Sequence, residues 1–339
     1  MKMFSYHTKM RLRKVLQVLG ILALAALAVW VCWMVWLQRY VVFTRDGVIF
    51  DFGRSSLDLG EKETRPGEPE QTLDVQVEFR EAPPEAQSLS RLSGVYVDTD
   101  RLQAGVETAS QALGSLEPGT AVMLDVKSKF GNFYYTTGLS GASQSDTIEA
   151  AAMDALLADL IRQDCYLIAR LPAFRDSAFA EANPDSGLAL DSGALWTDEE
   201  QCYWLDPASQ TVMANLIQIC RELRELGFDE VVFTDFRIPD SGSIVYKASA
   251  SKEEILKQAA QQLVTSCADP NFVVSFSGPA DFPLPAGQTR LYLEGVDPAQ
   301  ADSTAQKVSG SDPATQVVFL TASRDTRFDA YGVLRPLDG

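Results

Sequence analysis

Two residues apart, Asp235 and Arg237 close the stretch Gly227-Phe-Asp-Glu-Val-Val-Phe-Thr-Asp-Phe-Arg-Ile-Pro239, just after the apolar run 231–233. A carboxylate beside a guanidinium can act as a nucleophile or as a base that activates water, because the cation sets both its orientation and its ionisation. Side chains two apart on a strand share a face, so Arg237 is expected to orient Asp235 and hold its pKa low. The alternative is a structural ion pair. Asp125 and Lys127 repeat the spacing in Val122-Met-Leu-Asp-Val-Lys127, with the same two readings. Asp98, Arg170 and Glu294 also stand at the ends of apolar runs, which makes Glu294 a candidate general acid to set against Asp235.

One negative narrows the chemistry. The only histidine is His7, which lies ahead of a long apolar segment near the N-terminus. For the rest of the chain this removes Ser-His-Asp hydrolysis, Cys-His proteolysis and histidine-ligated zinc. No CxxC pair supports a zinc knuckle, and Gly138-Leu-Ser-Gly141 lacks the lysine and the strand that a phosphate loop needs. No metal and no cofactor are expected. What remains is carboxylate chemistry, of which glycoside hydrolysis by paired Asp/Glu is the leading kind. Aromatic faces would supply the other half of a sugar site. Tyr134, Tyr135, Trp196, Tyr203 and Trp204 lie in the loops after the second and third strand candidates, where they either stack on sugar rings or pack the loop 172–205.

Parallel strands would bring these residues to one end of a sheet. Strands are predicted over 94–98, 121–127, 165–171, 230–236, 272–276, 290–294, 316–321 and, more weakly patterned, 331–334. Helices are predicted over 101–116, 146–163, 207–226, 252–267 and 298–308. Gly227 fits a helix C-cap, Pro207 a helix start and Ser251 an N-cap. About 245 residues of alternating strand and helix match a (β/α)8 TIM barrel, whose active site forms at the C-terminal ends of the strands. The last two units are short of helix.

The ordered motifs Gly94-Val-Tyr-Val-Asp98, Val122-Met-Leu-Asp-Val-Lys127, Gly131-Asn-Phe-Tyr-Tyr135, Tyr166-Leu-Ile-Ala-Arg170, Phe174-Arg-Asp176, Trp204-Leu-Asp-Pro207 and Gly227–Pro239 resemble a known family. It is the putative glycosyl hydrolase domain, a TIM-barrel family of bacterial cell-envelope proteins, and the likeness runs over about residues 90–280. The resemblance implies that Asp125, Lys127, Asp235 and Arg237 line a sugar site. Asp98, Tyr135, Arg170, Trp196 and Trp204 complete the expected substrate-binding set, with Asp235 and Glu294 as the catalytic pair. The strand ending Phe276-Ser277 carries serine where related hydrolases often place an acid. Weak or undetectable hydrolysis is therefore expected, and a sugar-binding or scaffold protein of the envelope is the alternative to an enzyme.

Residues 15–36 form an apolar run of about 22 residues, long enough at about 1.5 Å per residue to cross a bilayer core of about 30 Å. Lys2, Lys9, Arg11, Arg13 and Lys14 precede it, which predicts a single-pass anchor with its N-terminus in the cytoplasm and the bulk of the chain extracytoplasmic. Cleavage as a signal peptide would leave apolar residues 29–36 on the mature chain, so an anchor is preferred. Segments 1–14, 15–36, 37–52, 53–90 and 91–339 read as basic tail, anchor, juxtamembrane hairpin around Asp46-Gly47, acidic Pro/Gly linker with one strand candidate at 72–79, and barrel. The formal charge of −17 becomes −22 once the five basic residues of the tail are set aside. Such a surface repels nucleic acid, so a polysaccharide or oligosaccharide is the expected partner. Cys165, Cys202, Cys220 and Cys267 leave the disulfide state open.

Overall fold

The computed structural model describes residues 41–44, 47–50, 89–246, 248–308 and 312–337, in two compact units, Met1–Val77 and Glu78–Gly339. In the first unit, strands Val41–Thr44 and Gly47–Phe50 pair antiparallel, Thr44 opposite Gly47. The predicted anchor at 15–36, the linker and its strand candidate at 72–79 lie outside the described residues. No described helix is long and apolar enough to cross a membrane.

The second unit is built on eight strands: β1 (Ser93–Val97), β2 (Ala121–Asp125), β3 (Tyr166–Pro172), β4 (Glu230–Thr234), β5 (Val273–Ser277), β6 (Leu291–Glu294), β7 (Val317–Leu320) and β8 (Gly332–Pro336). They close a barrel in sequential order, every neighbouring pair parallel and β8 pairing β1. The register offsets accumulate to a shear of eight residues around the ring, the value of a (β/α)8 barrel. All eight predicted strands are present, including the weak last one.

These strands form because each is apolar on both faces. Inward, Ala121, Met123, Ile168, Val232, Tyr292, Val318, Leu320 and Leu334 fill the barrel. Outward, Val122, Leu124, Leu167, Val231 and Phe233 pack in the larger core shared with the surrounding helices. Those helices are α1 (Thr99–Ala104), α2 (Val106–Leu113), α3 (Ala150–Arg162), α4 (Ser177–Ala182), α5 (Gln210–Glu225), α6 (Lys252–Cys267), α7 (Ala301–Ala305) and α8 (Pro313–Gln316). On α5, Val212, Leu216, Ile219 and Leu223 recur at helical spacing on the buried side.

Several helix boundaries differ from expectation for local reasons. The predicted helix 101–116 is two pieces, because Gly105 has φ 142°, which ends α1. The helix expected from Pro207 starts at Gln210 behind Ser209, with Asp206 and Ser209 forming a turn around the proline. Ser251 caps α6 as predicted, its hydroxyl accepting from Glu254 N–H at 3.2 Å. The segment 298–308 yields only a 3-10 turn and the five residues of α7.

At the N-terminal end of the barrel, Glu230 and Arg290 form a buried ion pair at 2.5 Å. Tyr166 and Tyr292 donate their hydroxyls to the Glu230 carboxylate, each at 2.9 Å. Arg290 also donates to the carbonyls of Ser90 and Thr315, so both charges are fully engaged away from solvent. Burial and the Glu230 charge raise the pKa of both tyrosines.

Candidate active site

A parallel barrel puts every strand C-terminus at one mouth, and Asp98, Asp125, Arg170, Asp235 and Glu294 all stand there. Asp125 and Arg170 are register partners on β2 and β3. Arg170 Nε and Nη2 donate to the two Asp125 oxygens at 2.6 and 3.2 Å, while Nη1 reaches Glu294 Oε1 at 3.3 Å. Thr99 adds its N–H and its hydroxyl to Asp125 Oδ2, at 2.8 and 2.9 Å. Asp98 accepts from Arg101 N–H at 2.9 Å, capping α1, and contributes with Asp125 and Glu294 to raising the Arg170 pKa against the opposing effect of burial.

Asp235 stands higher. Arg170 aligns with Val232, and Asp235 lies just beyond the end of β4, three residues past that partner. In register Glu294 falls one residue past Asp235, since Tyr292 aligns with Ser277 on β5 and β5 continues the register to Thr234. Two strand spacings separate β4 from β6, about 10 Å between backbones. Ser277, where an acid was absent from the sequence, lies on β5 between them and donates its hydroxyl to the Tyr292 carbonyl at 3.3 Å.

The backbone of Asp235 has φ 49°, a left-handed conformation uncommon outside glycine. Its carboxylate makes no hydrogen bond or ion pair among the described residues. Burial raises its pKa, and the nearby Arg175 and Arg237 guanidinia only partly oppose that effect. The expectation that Arg237 holds this acid low is thus corrected. The left-handed turn at Asp235 breaks the strand alternation that would have put the two side chains on one face. Arg237 instead lies over the Trp204 ring, 4.8 Å from its centroid.

The end of a strand separates Asp125 from Lys127. β2 ends at Asp125, and the buried Lys127 ammonium pairs with the Asp176 carboxylate rather than with Asp125. Asp176 also caps α4 through Phe179 N–H, at 2.8 Å. Gly131, at φ 95°, passes so close to Asp176 that a Cβ there would collide with the carboxylate.

The expected stacking aromatics are mostly structural. Tyr135 is fully buried and donates its hydroxyl to Glu222 of α5 at 2.8 Å. Trp204 is buried too, its indole N–H on Asp198 at 2.9 Å and both the Arg175 and Arg237 guanidinia against its ring. Arg175 in turn pairs with Asp198 at 2.5 Å and with Glu200 at 3.1 Å. Trp196 and Tyr203 are half-buried against the core. Tyr134 is buried, and its hydroxyl meets Thr99 Oγ1 at 3.2 Å.

Beside the Asp125–Arg170 pair opens a cleft of about 410 Å³, lined in part by Thr99, Gln103, Lys129, Phe130, Tyr134 and Thr234. Phe130, missed in the sequence, is 41% exposed at its edge, with the Lys129 ammonium 5.6 Å from the ring centroid. Thr99 and Lys129 were missed as well, although Thr99 directly follows the motif residue Asp98 and Lys129 lies two residues past Lys127; Arg175 stood inside the motif Phe174-Arg-Asp176 but was not singled out. Asp235 is not part of that lining, but its neighbour Thr234 is.

A model of the family described as "Putative glycosyl hydrolase domain" matches residues 95–269. No curated protein matches the chain. Among solved structures, a hypothetical protein from Ruminiclostridium thermocellum is similar at 22% identity over 53% of this chain and 96% of that one, with a TM-score of 0.44. An inactive mutant of the GH20 exo-β-N-acetylglucosaminidase from Vibrio harveyi is similar at 10% identity over 68% and 41%, with a TM-score of 0.50. The α-galactosidase from Thermus thermophilus, in complex with p-nitrophenyl α-D-galactopyranoside, is similar at 14% identity over 73% and 59%, with a TM-score of 0.46. The chain spans less than two thirds of the length of these two enzymes, and at such identities the likeness is one of fold.

Proposed function

The chain belongs to the Putative glycosyl hydrolase domain family, and from that premise we propose that its barrel mouth takes a cell-envelope polysaccharide, with Asp235 and Glu294 as the pair that acts on the glycosidic bond. The observation that carries this reading is the contrast between the mouth carboxylates. Asp125 is held by four donors and serves as a fixed anion, whereas the Asp235 carboxylate is unpaired and its pKa is raised by burial. An acid kept protonated at higher pH suits proton donation to a leaving oxygen, so Asp235 takes the general-acid role in place of the nucleophile or base expected from its motif. Glu294, two strands on around the barrel, is the second carboxylate, and inversion with an intervening water requires about 6.5–9.5 Å between the two carboxyl groups.

One contact favours binding over turnover. Arg170 already engages one oxygen of Glu294, so that oxygen is occupied rather than free to take a water. The test is reducing-end release by the full-length chain on a panel of envelope polysaccharides, with Asp235→Asn and Glu294→Gln alongside. Turnover lost in both variants supports the enzyme; glycan retention without turnover supports a binding barrel; neither on any polysaccharide rejects the carbohydrate reading.

The same proposal assigns a location. The apolar run 15–36 behind five basic residues anchors the chain with the barrel on the extracytoplasmic side. Protease added to intact cells stripped of their wall should digest the barrel, and full protection of it would reverse the orientation.

A further inference from the structure

The barrel mouth carries a second cleft, of about 360 Å³, lined by Tyr96, Asp98, Arg170, Glu294, Gly295, Leu320, Thr321 and Ala322. It adjoins the first. Arg170 lines both, and the chain between β1 and α1 crosses from one to the other, with the N-cap Asp98 in the second and Thr99 and Asp100 of α1 in the first. We propose that the two clefts are subsites of one trough, which takes the interior of an oligosaccharide chain with at least one sugar on each side of Arg170. This rests on the carbohydrate reading above and adds to it the length and the lie of the ligand.

Three features support a trough. Each cleft alone falls within the size of ordinary small-ligand pockets, about 300–1,000 Å³, so a single sugar in one would leave the other empty. Arg170 is pinned from both sides, by Asp125 toward the first cleft and by Glu294 toward the second, and its guanidinium also lies over the Tyr96 ring at 5.9 Å. A side chain held in that way cannot swing into either cleft, and it forms a fixed saddle between them. The far end is also open. A Cβ added at Gly295 would meet no atom within 4 Å, and Ala322 is exposed and small, so nothing there blocks a chain that continues past the second cleft. At the other end, Phe130 is exposed at the edge of the first cleft.

The experiment is calorimetric titration of the full-length chain in detergent micelles with three homopolymer ladders of one to six sugars: N-acetylglucosamine, glucosamine and galactose. At least one ladder should bind about tenfold or more tightly at four sugars than at two. Ala322→Trp, which fills the second cleft from an exposed position, should keep the wild-type circular dichroism and lose that gain. A binding ladder whose affinity is flat with length, or a gain that survives Ala322→Trp, overturns the trough and leaves the carbohydrate reading standing. If none of the ladders binds while an envelope polysaccharide is retained, the trough is likewise rejected alone; if neither binds, both readings fall.

Discussion

Arg170 lays its Nε and Nη2 against the two oxygens of Asp125, and both side chains are largely shielded, at 16% and 13% exposure. A forked guanidinium matches a carboxylate in a way that an ammonium cannot. Arg170→Lys keeps the charge and removes the fork, leaving Asp125 with Thr99 and one point contact. We expect a loss of about 2 kcal/mol in urea unfolding, the scale of a charged hydrogen bond left unmade. Glycan retention should fall with it, because the saddle between the clefts is gone. Unchanged stability and retention would reduce the pair to a surface ornament.

The Asp235 carboxyl gives a pH signature. Its folded pKa lies above the ordinary value of 3.8, with burial as the largest cause. Between the two values the folded chain holds a proton that the unfolded chain has released, so stability declines as pH rises from 3.8 through the folded pKa, then levels off. Asp235→Asn has no such proton to lose. Its melting temperature should therefore gain on wild type as pH rises from 3 to 7. A constant difference across that range would mean that burial does not perturb the group. If Asp235 is the general acid, kcat of the wild type should fall through the same window.

The barrel was legible because apolar runs of strand length alternate with helical periodicity, and burial on both strand faces needs no long-range information. The fine geometry was not legible, and two pairs show why. Asp125 with Lys127 and Asp235 with Arg237 both read as neighbours on one face, which holds only while the strand continues. β2 stops at Asp125 and β4 at Thr234, so the second member of each pair turns elsewhere, to Asp176 and to Trp204. Nor can composition tell a stacking aromatic from a packing one. Tyr135 is buried with its hydroxyl on Glu222 of α5, 87 residues away, and Trp204 with its indole N–H on Asp198, six residues before it, partners that aromatic content alone does not reveal. Asp98, Asp125, Arg170 and Glu294 did converge, since each stands at or next to a strand end and a parallel barrel gathers all such ends.

At the opposite end of the barrel, Glu230 and Arg290 are 0% and 1% exposed. Removing either partner leaves a bare charge in the interior, so Arg290→Met or Glu230→Gln should cost about 3–5 kcal/mol in urea unfolding. Replacing both, by Glu230→Leu with Arg290→Met, should recover most of that loss, although Tyr166 and Tyr292 then lose their acceptor. A double variant as unstable as the sum of the singles would show that the tyrosine bonds, rather than the ion pair, organise this end. Glycan retention at the far mouth should stay unaltered wherever the fold survives.

Phe130 separates a sugar platform from a packed ring more cleanly than any residue picked from the sequence. It is exposed on the turn that follows Lys129, touching the edge of the larger cleft, and has little core packing to lose. Phe130→Ala should therefore leave the melting temperature within about 1 °C, as an exposed substitution of under about 0.5 kcal/mol does. If the ring stacks on a sugar, retention on an affinity gel should weaken by about fivefold, equivalent to about 1 kcal/mol of aromatic contact. Tyr135→Ala is the counterpart: its ring is fully buried and bonded to Glu222, so it should lower the melting temperature sharply. Equal retention by wild type and Phe130→Ala would remove the aromatic from the site and leave sugar recognition to Thr99, Asp125 and Arg170 alone.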